Sequence, residues 1–151
     1  MIILTSDLIT HVKEIDEQHV ELFNCINAVS TVVTMDTVQE QAKKTLEFLG
    51  SYIVKHFNDE EILQQKCNYP KHKWHHEMHR WYIAEFNKMN EEYNKNGPSV
   101  EFIELLNESI INWIIKHIST VDVSLGEYII KNKNVYQASN NRMISKSGRI
   151  H

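Results

Sequence analysis

Two side chains near the middle of the chain have the types and the spacing of a metal clamp. His56 and Glu60 are four residues apart in a stretch of good helix formers, so both project from the same helical face. Ile53 and Leu63 continue that face on either side, which points the pair toward a core. An imidazole and a carboxylate placed this way could share a metal ion, although a salt-bridged surface pair has the same spacing.

Other helical stretches carry further candidate ligands. His75 and His79 form a second pair at i, i+4, a common metal clamp. Buried imidazoles are costly to leave without partners, whereas one metal centre satisfies several of them together. The whole set has five histidines and two carboxylates: His19, His56, Glu60, His75, His79, His117 and Asp122.

Four amphipathic helices must position these side chains. Apolar residues recur at three- and four-residue spacing, and glycine (4) and proline (2) are scarce. The predicted helices cover about 17–35, 37–67, 71–94 and 100–118, and a shorter helical extension covers 121–131 after the polar pair Ser119 and Thr120. Short turns between the helices favour an all-α, up-down-up-down antiparallel four-helix bundle.

The order of the helices tests whether the candidate ligands can meet. His19 is near the start of the first helix and His56 near the end of the second. His75 is near the start of the third helix and His117 at the end of the fourth. In an antiparallel bundle these four positions lie at the same end, so the sequence predicts one cluster between facing helices.

The remaining segments flank a single domain. A chain of 151 residues is long enough for one domain with a real core and too short for two. Residues 1–131 are predicted to form the bundle, with an N-terminal arm over 1–15 whose apolar residues Leu4, Leu8 and Val12 lie across it. Residues 132–151 are polar and are predicted to be poorly ordered.

Composition excludes several classes of partner. A net charge of -4 gives no basic surface for nucleic acid or for an anionic membrane. The longest apolar run is far shorter than a membrane span, and the N-terminus does not have the pattern of a signal peptide. We therefore expect a cytoplasmic protein in which Cys25 and Cys67 are reduced thiols.

The segments that carry the candidate ligands resemble those of the hemerythrin family, particularly its single-domain bacterial members, the bacteriohemerythrins. The resemblance covers about 8–131 and matches all seven ligand positions in order and in type. It implies that His75, His79 and His117 hold one iron, that His19 and His56 hold the other, and that Glu60 and Asp122 bridge them. The segments that carry it are Ile15-Asp16-Glu17-Gln18-His19, His56-Phe57-Asn58-Asp59-Glu60-Glu61, His75-x-x-x-His79 and Trp113-x-x-x-His117-Ile118-x-x-x-Asp122.

The same resemblance implies a function. Family members bind dioxygen reversibly at a non-haem di-iron centre (Fe2+/Fe3+) bridged by oxo or hydroxo, with one open position on the iron that has two histidines. We therefore expect a non-enzymatic protein for oxygen storage, transport or sensing. Phe23, Phe57, Trp113 and Ile114 would wall the oxygen pocket, although ordinary core packing accounts for these apolar residues equally well.

The chain departs from the family pattern at a few positions. Ile114 stands where the family usually has Leu, and His11 stands where it tends to have Gly. His72 and His76 are predicted to be surface residues. Asp16 and Gln18 are hypothesised to hydrogen-bond ligand imidazoles, with helix capping as the alternative role of Asp16.

Other functions remain open for such a site. A di-iron enzyme that reacts with dioxygen, peroxide or nitric oxide would use a similar open position. A sensor that acts through a separate protein partner is a further alternative, and no such partner is identified by the sequence. A zinc site is disfavoured, because seven clustered ligands are too many for one tetrahedral ion.

Overall fold

The computed structural model describes residues 3–30 and 35–132, and helices dominate this part of the chain. Helix α1 spans Lys13–Ser30, α2 spans Met35–Lys66 and α3 spans His72–Asn96. No strand occurs within the described residues. The predicted all-α four-helix bundle is confirmed, whereas residues 31–34 and the predicted tail beyond 132 lie outside the described residues.

The fourth helical stretch is continuous and contains two π-helical segments. It runs from α4 (Val100–Leu105) through a π-helical segment, π1 (Leu106–Ile111), into α5 (Asn112–His117). A second π-helical segment, π2 (Ile118–Asp122), leads directly into α6 (Val123–Lys131). The predicted shorter helical extension is present as α6, but Ser119 and Thr120 do not interrupt the helix. Both residues lie inside π2, and their hydroxyls donate to the carbonyl oxygen of Lys116, at 3.1 and 2.7 Å.

The N-terminal arm lies against the bundle. Leu8 and Val12 are buried, and Leu4 packs against the main core, as the sequence predicts. Asp16 fixes the arm, because one of its carboxylate oxygens accepts hydrogen bonds from the backbone N–H and the hydroxyl of Thr10, at 2.8 and 2.7 Å. The hypothesis that Asp16 hydrogen-bonds a ligand imidazole is therefore wrong.

Two apolar clusters enclose the level at which the candidate ligands lie. The larger cluster contains Phe57, Tyr82 and Ile118, and fills the bundle on one side of that level. The smaller cluster contains Tyr69 and Leu125, and lies on the other side, where the arm, the turn between α2 and α3, and α6 meet. Between the two, each helix presents polar side chains inward. Within the described residues, no helix is both long enough and apolar enough to cross a membrane.

Candidate metal centre

Seven polar side chains converge inside the bundle. Each has no more than 3% of its surface exposed, which is rare for carboxylates unless they are paired or bind a metal. They fall into two groups that share one residue. The larger group contains Glu60, His75, His79, His117 and Asp122, and the smaller contains His19, His56 and Asp122.

The larger group surrounds one point. The Nε2 atom of His117 lies 3.1 Å from that of His75 and 3.2 Å from that of His79. Cis ligands of a six-coordinate ion with bonds of about 2.1 Å lie about 3.0 Å apart, close to this spacing. A single tetrahedral ion would leave at least one of the five donors unused.

The carboxylates complete this arrangement. Glu60 Oε2 lies 3.3 Å from His75 Nε2 and 3.4 Å from His79 Nε2. Asp122 Oδ1 lies 3.1 Å from the Nε2 atoms of both His75 and His117. All five residues therefore direct a donor atom at the same small volume.

The smaller group lies on the other side of Asp122. Asp122 Oδ2 is 3.3 Å from His19 Nε2, and the ring centroids of His19 and His56 are 5.0 Å apart. The two oxygens of Asp122 thus face different groups, as a bridging carboxylate requires. Glu60 belongs to the larger group only, but its Oε1 is buried and has no hydrogen-bond partner among the described residues.

The winding of π2 brings His117 and Asp122 together. Residues five apart on a regular α-helix point about 140° away from one another. The i→i+5 hydrogen bonds of a π-helix bring such residues onto a common side, and π segments are frequent at functional sites. The π-helical winding of π2 therefore allows Oδ1 of Asp122 to lie 3.1 Å from Nε2 of His117.

A small cavity adjoins the smaller group. Its volume is about 10 Å³, close to the lower limit for one water molecule. Of the four residues predicted to wall a pocket, Phe57, Trp113 and Ile114 line this cavity. Phe23 does not, and its ring centroid lies 6.4 Å from that of His19. Sequence reasoning missed three further apolar wall residues, which read as ordinary core positions: Leu22, Ile53 and Ile118.

Comparison with known proteins agrees with this geometry. A family model described as the Hemerythrin HHE cation binding domain matches residues 10–127 of the chain. The chain belongs to the hemerythrin family. Searches of the curated proteins and of the solved structures each found no match.

The side chains of this hemerythrin domain fit metal cations. Both nitrogens of His19 and both oxygens of Glu60 and of Asp122 are buried without a hydrogen-bond partner among the described residues. Leaving such groups unsatisfied is costly, and bound cations would satisfy them together. The donor set of the buried cluster therefore fits metal cations.

Three imidazoles of the hemerythrin cluster are oriented through their other ring nitrogen. Nδ1 of His56 lies 2.8 Å from Gln18 Oε1, as hypothesised for Gln18, and Nδ1 of His79 lies 2.8 Å from Glu61 Oε1. Each contact leaves Nε2 directed at the cluster. Sequence reasoning missed Glu61, and the signal available was its position directly after Glu60.

The third contact involves Gln64, which sequence reasoning also missed. Its amide group lies 2.9 Å from Nδ1 of His75, and its Oε1 has no partner. Because O and N of an amide are assigned from the hydrogen-bond network, a flipped amide would accept from Nδ1–H and free Nε2 of His75 to bind a metal. Gln64 follows Glu60 at i+4, the spacing that would have predicted its proximity.

Burial and charge shift the pKa values in the cluster. Burial lowers the pKa of His56 to about 4. Burial also opposes protonation of His75, but contacts with Asp122 and Glu60 outweigh it and raise the pKa to about 9. Burial and the charge of Asp122 favour a protonated Glu60, yet the contacts with His75 and His79 prevail and lower its pKa to about 2. Burial likewise favours a protonated Asp122, but contacts with His117, His19 and His75 prevail and lower its pKa well below the usual value. Both carboxylates are therefore anionic near neutral pH, as cation binding requires.

His72 and His76 lie outside the cluster. Nδ1 of His76 is 2.9 Å from Glu61 Oε2, and the His76 side chain is 44% exposed. Both residues border an open surface depression of about 430 Å³ together with Glu61. Glu61 therefore contacts His79 inside the bundle with one oxygen and His76 at the surface with the other.

Proposed function

We propose that this protein binds dioxygen reversibly at a pair of iron ions. His75, His79 and His117 would hold one ion, His19 and His56 the other, and Glu60 and Asp122 would bridge them. The observation that carries the proposal is the placement of Asp122, whose two oxygens lie 3.1 Å from His117 Nε2 and 3.3 Å from His19 Nε2. One carboxylate facing two imidazole groups supports two metal ions rather than one.

The number of donors supports an open position beside the smaller group. Two six-coordinate ions offer about twelve positions, of which five histidines and two bridging carboxylates fill about nine. A bridging oxo or hydroxo would fill two more, which leaves one. Because only two histidines belong to the smaller group, the open position falls there, next to the cavity of about 10 Å³. When bound, the two ferrous ions supply the electrons that dioxygen binding requires.

The residues of the chain would set the reversibility of binding. Ile53, Phe57 and Ile114 line the cavity with apolar surface, and all three are buried. An apolar wall excludes the water and protons that would let dioxygen leave as peroxide and leave the irons oxidised.

Oxygen stoichiometry tests this function. The protein is loaded anaerobically with ferrous iron, titrated with dissolved dioxygen, and then purged with argon. We expect uptake of one dioxygen per pair of irons and its recovery on purging. Continued consumption of dioxygen in the presence of a reductant would instead indicate a di-iron enzyme, and the oxygen-carrier proposal would be withdrawn.

A further inference from the structure

A line of stacked aromatic rings connects the metal centre with the surface. The ring of Trp113 stacks on that of His117, with centroids 4.5 Å apart and planes inclined by 16°. Trp113 also stacks on Trp81, at a centroid distance of 6.0 Å and an inclination of 29°. His117 is 3% exposed and Trp81 is 52% exposed, so two ring contacts span the distance from the buried cluster to solvent.

We propose that Trp113 and Trp81 form an electron-transfer route from the surface to the metal centre. Indoles are among the most readily oxidised side chains. The rate of electron transfer falls steeply with distance, so transfer between closely stacked rings is fast. The route would let oxidising equivalents that arise at the centre leave through Trp81 instead of damaging the core. The inference rests on the proposed function, because it requires a redox-active metal at His117.

Hydrogen peroxide is an oxidant that would draw electrons along this route. Cleavage of its O–O bond to give two water molecules consumes two electrons and two protons. A mixed-valence pair, with one ferrous and one ferric ion, would supply only one of these electrons, and Trp113 supplies the other. Trp81 then reduces Trp113, and the indole N–H proton of Trp81 passes to water. One proton from Trp81 and one from solvent complete the balance, which leaves a neutral Trp81 radical.

Two neighbouring aromatic residues are poorer end points. Tyr82 lies 4.6 Å from Trp113 between ring centroids, but it is 1% exposed and its hydroxyl has no hydrogen-bond partner among the described residues. Burial also raises the pKa of Tyr82 well above its usual value. Because the hydroxyl has no partner among the described residues, its proton has no ready acceptor. Trp74 is 53% exposed and lies on the same helix, seven residues before Trp81. Of these two tryptophans, only Trp81 stacks on Trp113 among the described contacts.

Trp74 therefore serves as an internal control in a radical-trapping experiment. The protein with its iron pair in the mixed-valence state, one ferrous and one ferric, receives one equivalent of hydrogen peroxide in the presence of a nitroso spin trap. The trap forms a covalent bond to a carbon of the radical ring. Peptide mass spectrometry then measures the adduct on each tryptophan. We expect severalfold more adduct on Trp81 than on Trp74, and equal labelling in the metal-free protein.

Substitution of the middle ring tests the route itself. Trp113→Leu should remove the preference for Trp81, and Trp113→Phe, which keeps an aromatic ring in case the leucine variant does not fold, should reduce it. Trp81→Phe should shift the adduct to Trp113. Equal labelling of Trp74 and Trp81 in the unchanged protein, or a preference that survives Trp113→Leu, would overturn the proposal.

A second readout separates this inference from the proposed function. Iron content and oxygen uptake are measured on the same preparations. Equal labelling in a protein that holds two irons and binds dioxygen reversibly would overturn the electron route alone. A protein that binds no iron would overturn both proposals.

Discussion

At the scale of single residues, the site depends on side chains that the metal would not touch. Gln18, Glu61 and Gln64 each contact Nδ1 of one histidine and so direct its Nε2 toward the cluster. Such supporting contacts hold ring orientation and tautomer, and their loss typically weakens metal binding by about 10- to 100-fold. Their effect can be separated from that of the ligands by substituting one of them.

Gln18→Leu should weaken the metal site of His19 and His56 selectively. The variant removes the acceptor for Nδ1 of His56 while keeping a side chain of similar size. We expect the affinity of one of the two ferrous sites to fall about 10- to 100-fold, with the other unchanged, in an anaerobic chelator-competition titration. Glu17→Ala is the matched control, because Glu17 is exposed on the same helix and pairs only with Lys13 in the described contacts. Two unchanged affinities in Gln18→Leu would contradict this role.

The residue scale also shows the limits of sequence reasoning. The spacing of histidines and carboxylates placed seven side chains at one level, and the structure brings all seven together. Glu61 and Gln64 were missed because a polar residue next to a ligand reads as solvated until its neighbours on other helices are known. The family resemblance implies Gly at the position of His11, and the positive φ of 60° found there is a conformation that glycine adopts readily.

At the scale of elements, the fourth helical stretch determines whether the larger and the smaller group of ligand residues share Asp122. The sequence predicts the order and direction of the helices, because apolar periodicity reports them directly. It predicts their ends less well: α1 begins at Lys13, four residues before the predicted start, and the fourth stretch continues past 118. It does not predict π2, because the polar pair Ser119 and Thr120 looks like a break in that periodicity. Their hydroxyls instead bond to the Lys116 carbonyl inside the continuous helical stretch.

Insertion of one alanine after Thr120 should abolish the shared ligand. The insertion places Asp122 six residues after His117 instead of five and turns α6 relative to α5 by about 100°. Asp122 and the apolar face of α6 cannot then both keep their positions. We expect loss of metal binding with helical circular dichroism retained. Thr120→Ala, which removes only the hydroxyl, is the control and should bind metal normally; two metals bound by the insertion variant would contradict the role of the spacing that π2 accommodates.

Gly126 should be essential for docking the arm onto α6. A Cβ at this position would lie 2.1 Å from the carbonyl oxygen of Thr10, a contact with backbone that cannot be relieved by side-chain rotation. Gly126→Ala should therefore lower the free energy of unfolding by about 1–3 kcal/mol in urea denaturation. Glu127→Ala, an exposed neighbour, should change it little. Equal stability of the two variants would show that the arm is not held against α6.

At the scale of the whole molecule, the buried cluster makes the metal-free protein sensitive to pH. The pKa of His75 is raised from 6.5 to about 9, so its contribution to stability is complete below pH 6.5 and is lost as the pH rises toward 9. The pKa of His56 is lowered from 6.5 to about 4, so its contribution is present above pH 6.5 and is lost as the pH falls toward 4.

The metal-free protein should therefore be most stable near pH 6.5. Urea denaturation at a series of pH values should show the free energy of unfolding falling on both sides, with a further loss between pH 4.5 and about 2 as Glu60 is protonated. In the metal-loaded protein, the decline above pH 6.5 should disappear, because a metal replaces the proton on His75. A metal-free protein of constant stability from pH 6.5 to 9 would contradict the described contacts of His75.

The most direct test of the account as a whole is the iron content of the protein together with its visible spectrum. The spectrum is recorded for the anaerobically reduced protein, after admission of air, and again after removal of dioxygen. We predict two irons per chain and an absorption band that appears with air and disappears when dioxygen is removed. One iron per chain, or a band that decays without reversing, would contradict a di-iron centre that binds dioxygen reversibly.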